Sequence, residues 1–216
     1  MRAVLIGATG ATGSELLKLL LDDNAFSTVT VLVRRPLDRT HEKLQAIVID
    51  FNKPEQWADL VKGAVAFSCL GTTLKAAGSK AEQYKVDYGY QLAFANAARA
   101  NGVPKFILIS AGMANPKSQL FYARMKGALE HAIGALDFPH LFIFRPGLLS
   151  RPGTERAGER ISASVLLFLN KLGLLKRLAP LPVARLARLM LFYAKNNRQR
   201  TVIIEPGQML NEIKNL

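Results

Sequence analysis

Six short apolar runs punctuate the first two thirds of the chain: Ala3 to Ile6, Val29 to Val33, Ala46 to Ile49, Ala64 to Cys69, Phe106 to Ile109 and Leu141 to Phe144. Each is too short for a helix and shows little polar alternation, the pattern of a strand buried on both faces. Between them, Ser14 to Leu21, Pro54 to Leu60, Ala81 to Ala100 and Phe121 to Leu136 carry apolar residues at helical spacing. Strands alternating with helices predict an α/β fold, a Rossmann-type doubly wound parallel sheet, with ligands bound beyond the carboxyl ends of the strands. After Pro146 the alternation lapses through "GLLSRPGTERAGER" into two predicted helices and one short strand at Thr201 to Ile204. No linker or low-complexity segment divides the chain. Residues 1–216 therefore read as one domain, in which residues 147–216 form a small C-terminal, mainly helical cap on the substrate side.

The first run leads into "VLIGATGATGSELL", which sets Gly7, Gly10 and Gly13 between a strand and a helix. Bare backbone there allows a tight turn and close approach of another molecule, and the following helix N-terminus offers unpaired N–H groups and a positive dipole end to a phosphate. Gly7, Thr9, Gly10, Ala11, Thr12 and Gly13 are the expected cradle. No Lys-Ser or Lys-Thr follows the glycines, which excludes a Walker-type loop.

The remaining strand ends carry the other candidates. Val33 is followed by Arg34 and Arg35, where a dinucleotide-binding unit meets the adenosine ribose. Arginine there accommodates the 2′-phosphate of NADP, whereas a carboxylate would read the free hydroxyl of NAD, so NADP(H) is preferred over NAD(H). Asp50 and Phe51 end the third strand, a carboxylate and a ring for an adenine edge and face. The fourth ends in "SCLGTT", assigning Cys69, Leu70, Gly71 and Thr72 to the cofactor, with Thr72 or Thr73 bonding a ribose. Ser110 ends the fifth and could hold a carbonyl oxygen. Tyr122 and Lys126 in "YARMK" share one helix face, where a neighbouring ammonium would lower the phenol's pKa and make it a usable acid-base group.

Composition narrows the classes. Net charge is +13, and residues 145–216 hold 13 basic against 4 acidic side chains. No RNA-binding aromatic motif or helix-turn-helix pattern accompanies that charge, so a solvated basic surface is expected and no nucleic acid. The stretch "ISASVLLFLNKLGLLKRLAPL" is interrupted by Asn170, Lys171, Lys176 and Arg177, so no membrane span is expected; its apolar face, Leu166 to Leu175, could serve a partner or a dimer interface, and the chain reads as a monomer or homodimer. A single cysteine, Cys69, permits no internal disulfide, and the N-terminal apolar run is too short for a signal peptide; both fit a reducing cytoplasm. His41, His131 and His140 show no metal spacing, Trp57 reads as packing, and the absence of a G-x-S-x-G elbow argues against a hydrolase.

The ordered set "GATGATG", "CLGTT", "VDYGY", "ISAGM", "YARMK" and "FRPGLL" resembles the atypical, NAD(P)-binding short-chain dehydrogenases/reductases, similar to the TIP-thirty oxidoreductases, strongly over about residues 1–150. The resemblance implies a Rossmann fold, NADP binding and a catalytic group of Ser110, Tyr122 and Lys126. It also implies that Lys126 bonds the nicotinamide ribose and that Arg145, Pro146 and Gly147 lie near the nicotinamide. The asparagine that many members carry on the helix before the fifth strand has no clear counterpart; Asp87 occupies that region, which puts a proton relay through that helix in doubt. The expected function is NADP-dependent hydride transfer to or from a small hydrophobic carbonyl or quinone, lined by Met113, Phe121, Leu148 and Leu149, with the basic tail admitting an anionic group. The alternative is an NADP(H)-binding regulatory or redox-sensing protein with little or no turnover.

Overall fold

The computed structural model describes residues 1–150, 180–196 and 199–213. Strand β1 (Arg2–Ile6) leads into helix α1 (Ala11–Asp22), followed by β2 (Thr28–Val33) and β3 (Leu44–Val48). Then come β4 (Val65–Ser68), the short helices α2 (Leu74–Ala77) and α3 (Lys80–Tyr84), a π-helical turn (Lys85–Tyr90) and α4 (Gln91–Ala100). The chain continues through β5 (Lys105–Ile109), α5 (Phe121–Gly134), β6 (His140–Phe144), β7 (Leu149–Ser150), β8 (Leu181–Pro182), α6 (Val183–Asn196), β9 (Thr201–Ile204) and α7 (Pro206–Glu212). The main sheet has the order β3-β2-β1-β4-β5-β6-β9, and every pair in it is parallel. The strand order reverses between β1 and β4, so the crevice for a ligand opens at their carboxyl ends.

Burial on both faces explains the unbroken apolar runs of β1, β4, β5 and β6, whereas β3, at the edge of the sheet, leaves Ala46 and Val48 exposed. Ala3 and Leu5 point into one core layer and Val4 and Ile6 into the other, all four at 0 % exposure. The first layer joins the sheet to α1, α6 and α7 through Leu16, Leu20, Leu186, Met190 and Met209. The second joins it to α4 and α5 through Phe94, Phe106, Leu129 and Ile133, with Trp57 and Phe138 at its margin. Each such side chain, fully withdrawn from water, contributes roughly 1.5–3 kcal/mol.

Three expectations change. Pro54 to Leu60 forms two separate 3-10 turns, Pro54–Gln56 and Ala58–Leu60, hinged at Trp57, whose indole N–H donates to the Asp50 carbonyl at 3.0 Å. The single helix expected over Ala81 to Ala100 is broken by the π-helical turn. Within the C-terminal region, α6 packs on α1 and β9 completes the sheet beside β6, so both belong to the sheet's own layers. Tyr193 meets Phe142 and Phe144 edge-on, and Lys195 pairs with Asp23 at 2.7 Å. The rest of the expected cap, residues 151–179, and with it the Leu166 to Leu175 face, lies outside the described residues. No helix among the described residues is long and apolar enough to cross a membrane.

Candidate functional site

The glycine turn is tightened by the protein's own backbone. Gly7 has φ +81°, and a Cβ there would lie 2.4 Å from the Cys69 carbonyl carbon; one on Gly13 would lie 2.1 Å from the Gly7 carbonyl oxygen. These two glycines close the turn between β1, α1 and the end of β4. Gly10 is different: it caps α1 without a side-chain hydrogen bond, and its own Cβ position meets only Gly7 O at 3.2 Å among close neighbours. Thr9 and Gly10 are exposed and Thr12 and Gly13 buried, so the open part of the cradle is the exposed turn before the uncapped amides of α1's first turn.

Arg34 and Arg35 stand exposed just beyond β2, and neither forms an ion pair or side-chain hydrogen bond among the described residues. Asp50 is exposed as well, its carboxylate held below the usual range first by the backbone N–H of Asn52 and then by that residue's side chain. Phe51 departs from expectation. Its ring is 4 % exposed, packed 5.9 Å from Trp57 and 5.2 Å from Tyr90, so it is core and presents no open face to an adenine.

Three elements meet at Asp87. The Thr72 amide, in the loop after β4, donates to Asp87 Oδ2 at 3.1 Å, and Lys126 Nζ on α5 lies 3.2 Å from Oδ1. Both ion-pair side chains are almost wholly buried, and Oδ1 makes no aligned hydrogen bond among the described residues. Burial pulls the Lys126 ammonium below its ordinary pKa, while Asp87 and, more distantly, Glu130 push the other way. Tyr122, one turn earlier on α5, has its ring centroid 6.0 Å from Lys126 Nζ. A lowered phenol was expected; the opposite is found. Crowding around the phenol, although the residue is 44 % exposed, and then the Asp87 charge push Tyr122 up to about 12. Lys126 is already answered by a carboxylate, so its pull on the phenol is cancelled.

Ser110 ends β5 with its amide donating to the Phe144 carbonyl at 2.7 Å, and its hydroxyl, 5 % exposed as a residue, has no hydrogen-bond partner among the described residues. The loop beyond it returns to α5, where the Asn115 amide donates to the Ala123 carbonyl at 3.0 Å. Gly127, which the sequence reading passed over, permits that approach: a Cβ there would lie 2.3 Å from the Asn115 carbonyl carbon.

Arg145 is the second correction among the cofactor candidates. Its guanidinium is committed to Glu130 (Nη2 to Oε2, 2.5 Å) and Glu205 (Nη1 to Oε1, 2.7 Å), tying the end of β6 to α5 and to the start of α7. As a side chain it serves the fold rather than a ligand. Pro146 is buried, its carbonyl accepting from the Gly112 amide at 2.9 Å, and Gly147 is exposed. Burial pushes the Cys69 thiol well above its ordinary range, which makes it a poor nucleophile. No group of residues suited to a metal ion occurs among the described residues.

Comparison with known proteins fits this geometry. A family model described as NAD(P)H-binding matches residues 7–159. Protein FMP52, mitochondrial, of Debaryomyces hansenii is 43% identical over 152 residues, covering 69% of this chain and 67% of that protein. Protein FMP52-1, mitochondrial, of Scheffersomyces stipitis is 37% identical over 188 residues, 85% of this chain and 79% of that protein. Protein HTATIP2 of Rattus norvegicus is 38% identical over 159 residues, 69% and 65%. Among solved structures, MoeE5 in complex with UDP-glucose and NAD superposes with a TM-score of 0.72 at 15% identity, covering 100% of this chain and 81% of that one. A short chain dehydrogenase from Burkholderia cenocepacia in complex with NADP gives 0.67 at 18%, covering 99% and 91%. At those identities the likeness establishes the Rossmann fold alone. The expected cytoplasmic location is overturned by the fungal relatives, whose names place them in mitochondria. The lone cysteine that prompted it reports only the absence of an internal disulfide.

Proposed function

The chain belongs to the NAD(P)H-binding family of atypical short-chain dehydrogenases/reductases, and on that premise we propose that it is an NADP(H)-dependent oxidoreductase acting on a small, hydrophobic carbonyl or quinone. The observation that carries the reading is the buried Ser110 hydroxyl, which has no hydrogen-bond partner among the described residues. Leaving such a group unpaired costs about 1–3 kcal/mol, and a substrate carbonyl oxygen bonded there offsets it.

The residues fit the cofactor. The uncapped amides at the start of α1 would hold its pyrophosphate, Arg34 and Arg35 its 2′-phosphate, and Lys126 the nicotinamide ribose. When bound, NADPH supplies the hydride. Ser110 orients the carbonyl oxygen, and Tyr122 donates its hydroxyl proton to that oxygen as negative charge develops there. Met113 and Leu120, both 59% exposed in the loop before α5, and Leu149, 37% exposed beyond β6, support a hydrophobic substrate. We assign the role of admitting an anionic group to the basic C-terminal third.

A second reading, an NADP(H)-binding sensor acting through a partner with little turnover, draws on the high pKa of Tyr122, since a sensor needs no activated phenol. Turnover separates the two. NADPH consumption with a panel of aldehydes, ketones and quinones should fall about 100-fold or more in Tyr122→Phe, the usual scale of one acid-base group. Equal turnover in Tyr122→Phe and the unsubstituted protein would overturn the assignment of Tyr122, and no turnover with tight NADPH binding would favour the sensor.

A further inference from the structure

Ser110 stands at the start of a loop that the protein fastens in two places. Toward its far end the loop is tied to α5, where the Asn115 amide donates to the Ala123 carbonyl and Gly127 leaves room for the approach. Close to Ser110 it is seated on a different element. The Gly112 amide donates to the Pro146 carbonyl at 2.9 Å, and a Cβ on Gly112 would lie 3.3 Å from that carbonyl oxygen and 3.2 Å from Pro206 Cγ. The bare face of Gly112 therefore rests against the proline ring that opens α7. Between the two fastenings Met113 projects into solvent, while Ala114 turns inward and its amide donates back to the Ala111 carbonyl at 3.0 Å.

A seat can position a loop only if the seat itself is fixed, and the start of α7 is fixed on both sides. Pro206 occupies the first helical turn, where its ring presets φ and its missing amide proton costs nothing. Just ahead of it, the Arg145 amide donates to the Ile204 carbonyl at 3.0 Å and the Arg145 guanidinium to the Glu205 carboxylate at 2.7 Å. Just behind it, Met209 is fully buried in the first core layer and Glu212 accepts from the Tyr193 hydroxyl at 2.9 Å. The same guanidinium reaches Glu130 on α5, the helix that carries Tyr122 and Lys126. One arginine thus links the helix of Tyr122 to the seat of the Ser110 loop.

We propose that Glu205 and Pro206 are positioning residues: with Arg145 they hold α7 against the Ser110 loop and so set where the Ser110 hydroxyl stands relative to Tyr122. That this placement serves hydride transfer rests on the oxidoreductase reading; the seating of the loop does not. Ser110 acts as charge develops on the carbonyl oxygen, so a small displacement of its hydroxyl is felt in the transition state more than in substrate binding.

The Glu205 side chain is 49% exposed, so Glu205→Ala should move the thermal midpoint by no more than about 2 °C. With carbon-13 methyl methionine incorporated, the chain's five methionines give separate NMR signals, and Met113→Leu identifies the one that belongs to position 113. That signal should move in Glu205→Ala and in Pro206→Ala, and Glu205→Gln, which keeps an acceptor for Arg145, should leave it in place. In the aldehyde, ketone and quinone assay, both alanine variants should lose about tenfold or more in kcat while KM stays within about twofold. A Met113 signal unmoved in either alanine variant would overturn the proposal, and so would a moved signal with kcat unchanged. If the unsubstituted protein turns over no substrate, the oxidoreductase reading fails, and the methionine signals still decide whether α7 seats the loop.

Discussion

A Cβ on Gly13 would lie 2.1 Å from the carbonyl oxygen of Gly7, so the last glycine of the turn exists to let α1 close over the first. Gly7 in turn lies with φ +81° against the Cys69 carbonyl. Only Gly10 is left to face a ligand.

The three glycines should therefore separate experimentally. Gly7→Ala and Gly13→Ala force backbone against backbone and should cost about 2–3 kcal/mol or more, lowering the thermal midpoint by about 6–10 °C. Gly10→Ala meets only one contact that must give by a few tenths of an ångström, and its midpoint should stay near that of the unsubstituted protein while NADPH binding weakens about tenfold or more. Thermal scans with and without NADPH distinguish the two classes.

Arg34 and Arg35 stand exposed and unpaired among the described residues, so removing both should leave stability unchanged. A charged hydrogen bond contributes roughly 1.5–3 kcal/mol, so Arg34→Ala with Arg35→Ala should weaken NADPH binding about tenfold to a hundredfold, with little change for NADH. Titration of the double variant with each cofactor is the check.

Arg145 answers two carboxylates, and Glu130 is nearly buried. Arg145→Ala strands that charge and should cost about 2–3 kcal/mol, toward the lower end for broken buried pairs because the guanidinium is partly exposed. Arg145→Met with Glu130→Leu leaves no unpaired buried charge and should recover much of the loss in a denaturant titration.

The phenols set the alkaline limit. Tyr122 is raised from 10.0 to about 12, first by burial and then by Asp87, and Tyr193 is raised first by burial and then by its bond to Glu212. A group with a raised folded-state pKa gives stability that is fully present below its unfolded value and is lost as pH climbs through the folded value. The midpoint should hold to about pH 10 and decline toward pH 12, with a shallower decline in Tyr122→Phe. Scans between those limits measure it.

The sheet could be read from the sequence because its central strands are buried on both faces, which makes them short unbroken apolar runs, and the glycine turn because strand, glycines and helix are contiguous. What escaped reading depends on partners distant in sequence. Phe51 is core because Trp57 and Tyr90 close over it, and Arg145 is structural because Glu130 and Glu205 converge on it. Tyr122 and Lys126 were legible as a helical pair, but the sign of their effect was not, because it is set first by crowding around the phenol and then by the charge of Asp87 from another helix. Gly127 gave no signal beyond its adjacency to "YARMK"; its role appears only where α5 meets the loop at Asn115.

The central claim is that the glycine turn and the two arginines form an NADP(H) site, and calorimetric titration of the unsubstituted protein with NADPH and, separately, NADH tests it most directly. The account predicts NADPH binding tighter than NADH by about tenfold or more. Equal affinities would contradict the role given to Arg34 and Arg35, and no binding of either would contradict the cradle itself.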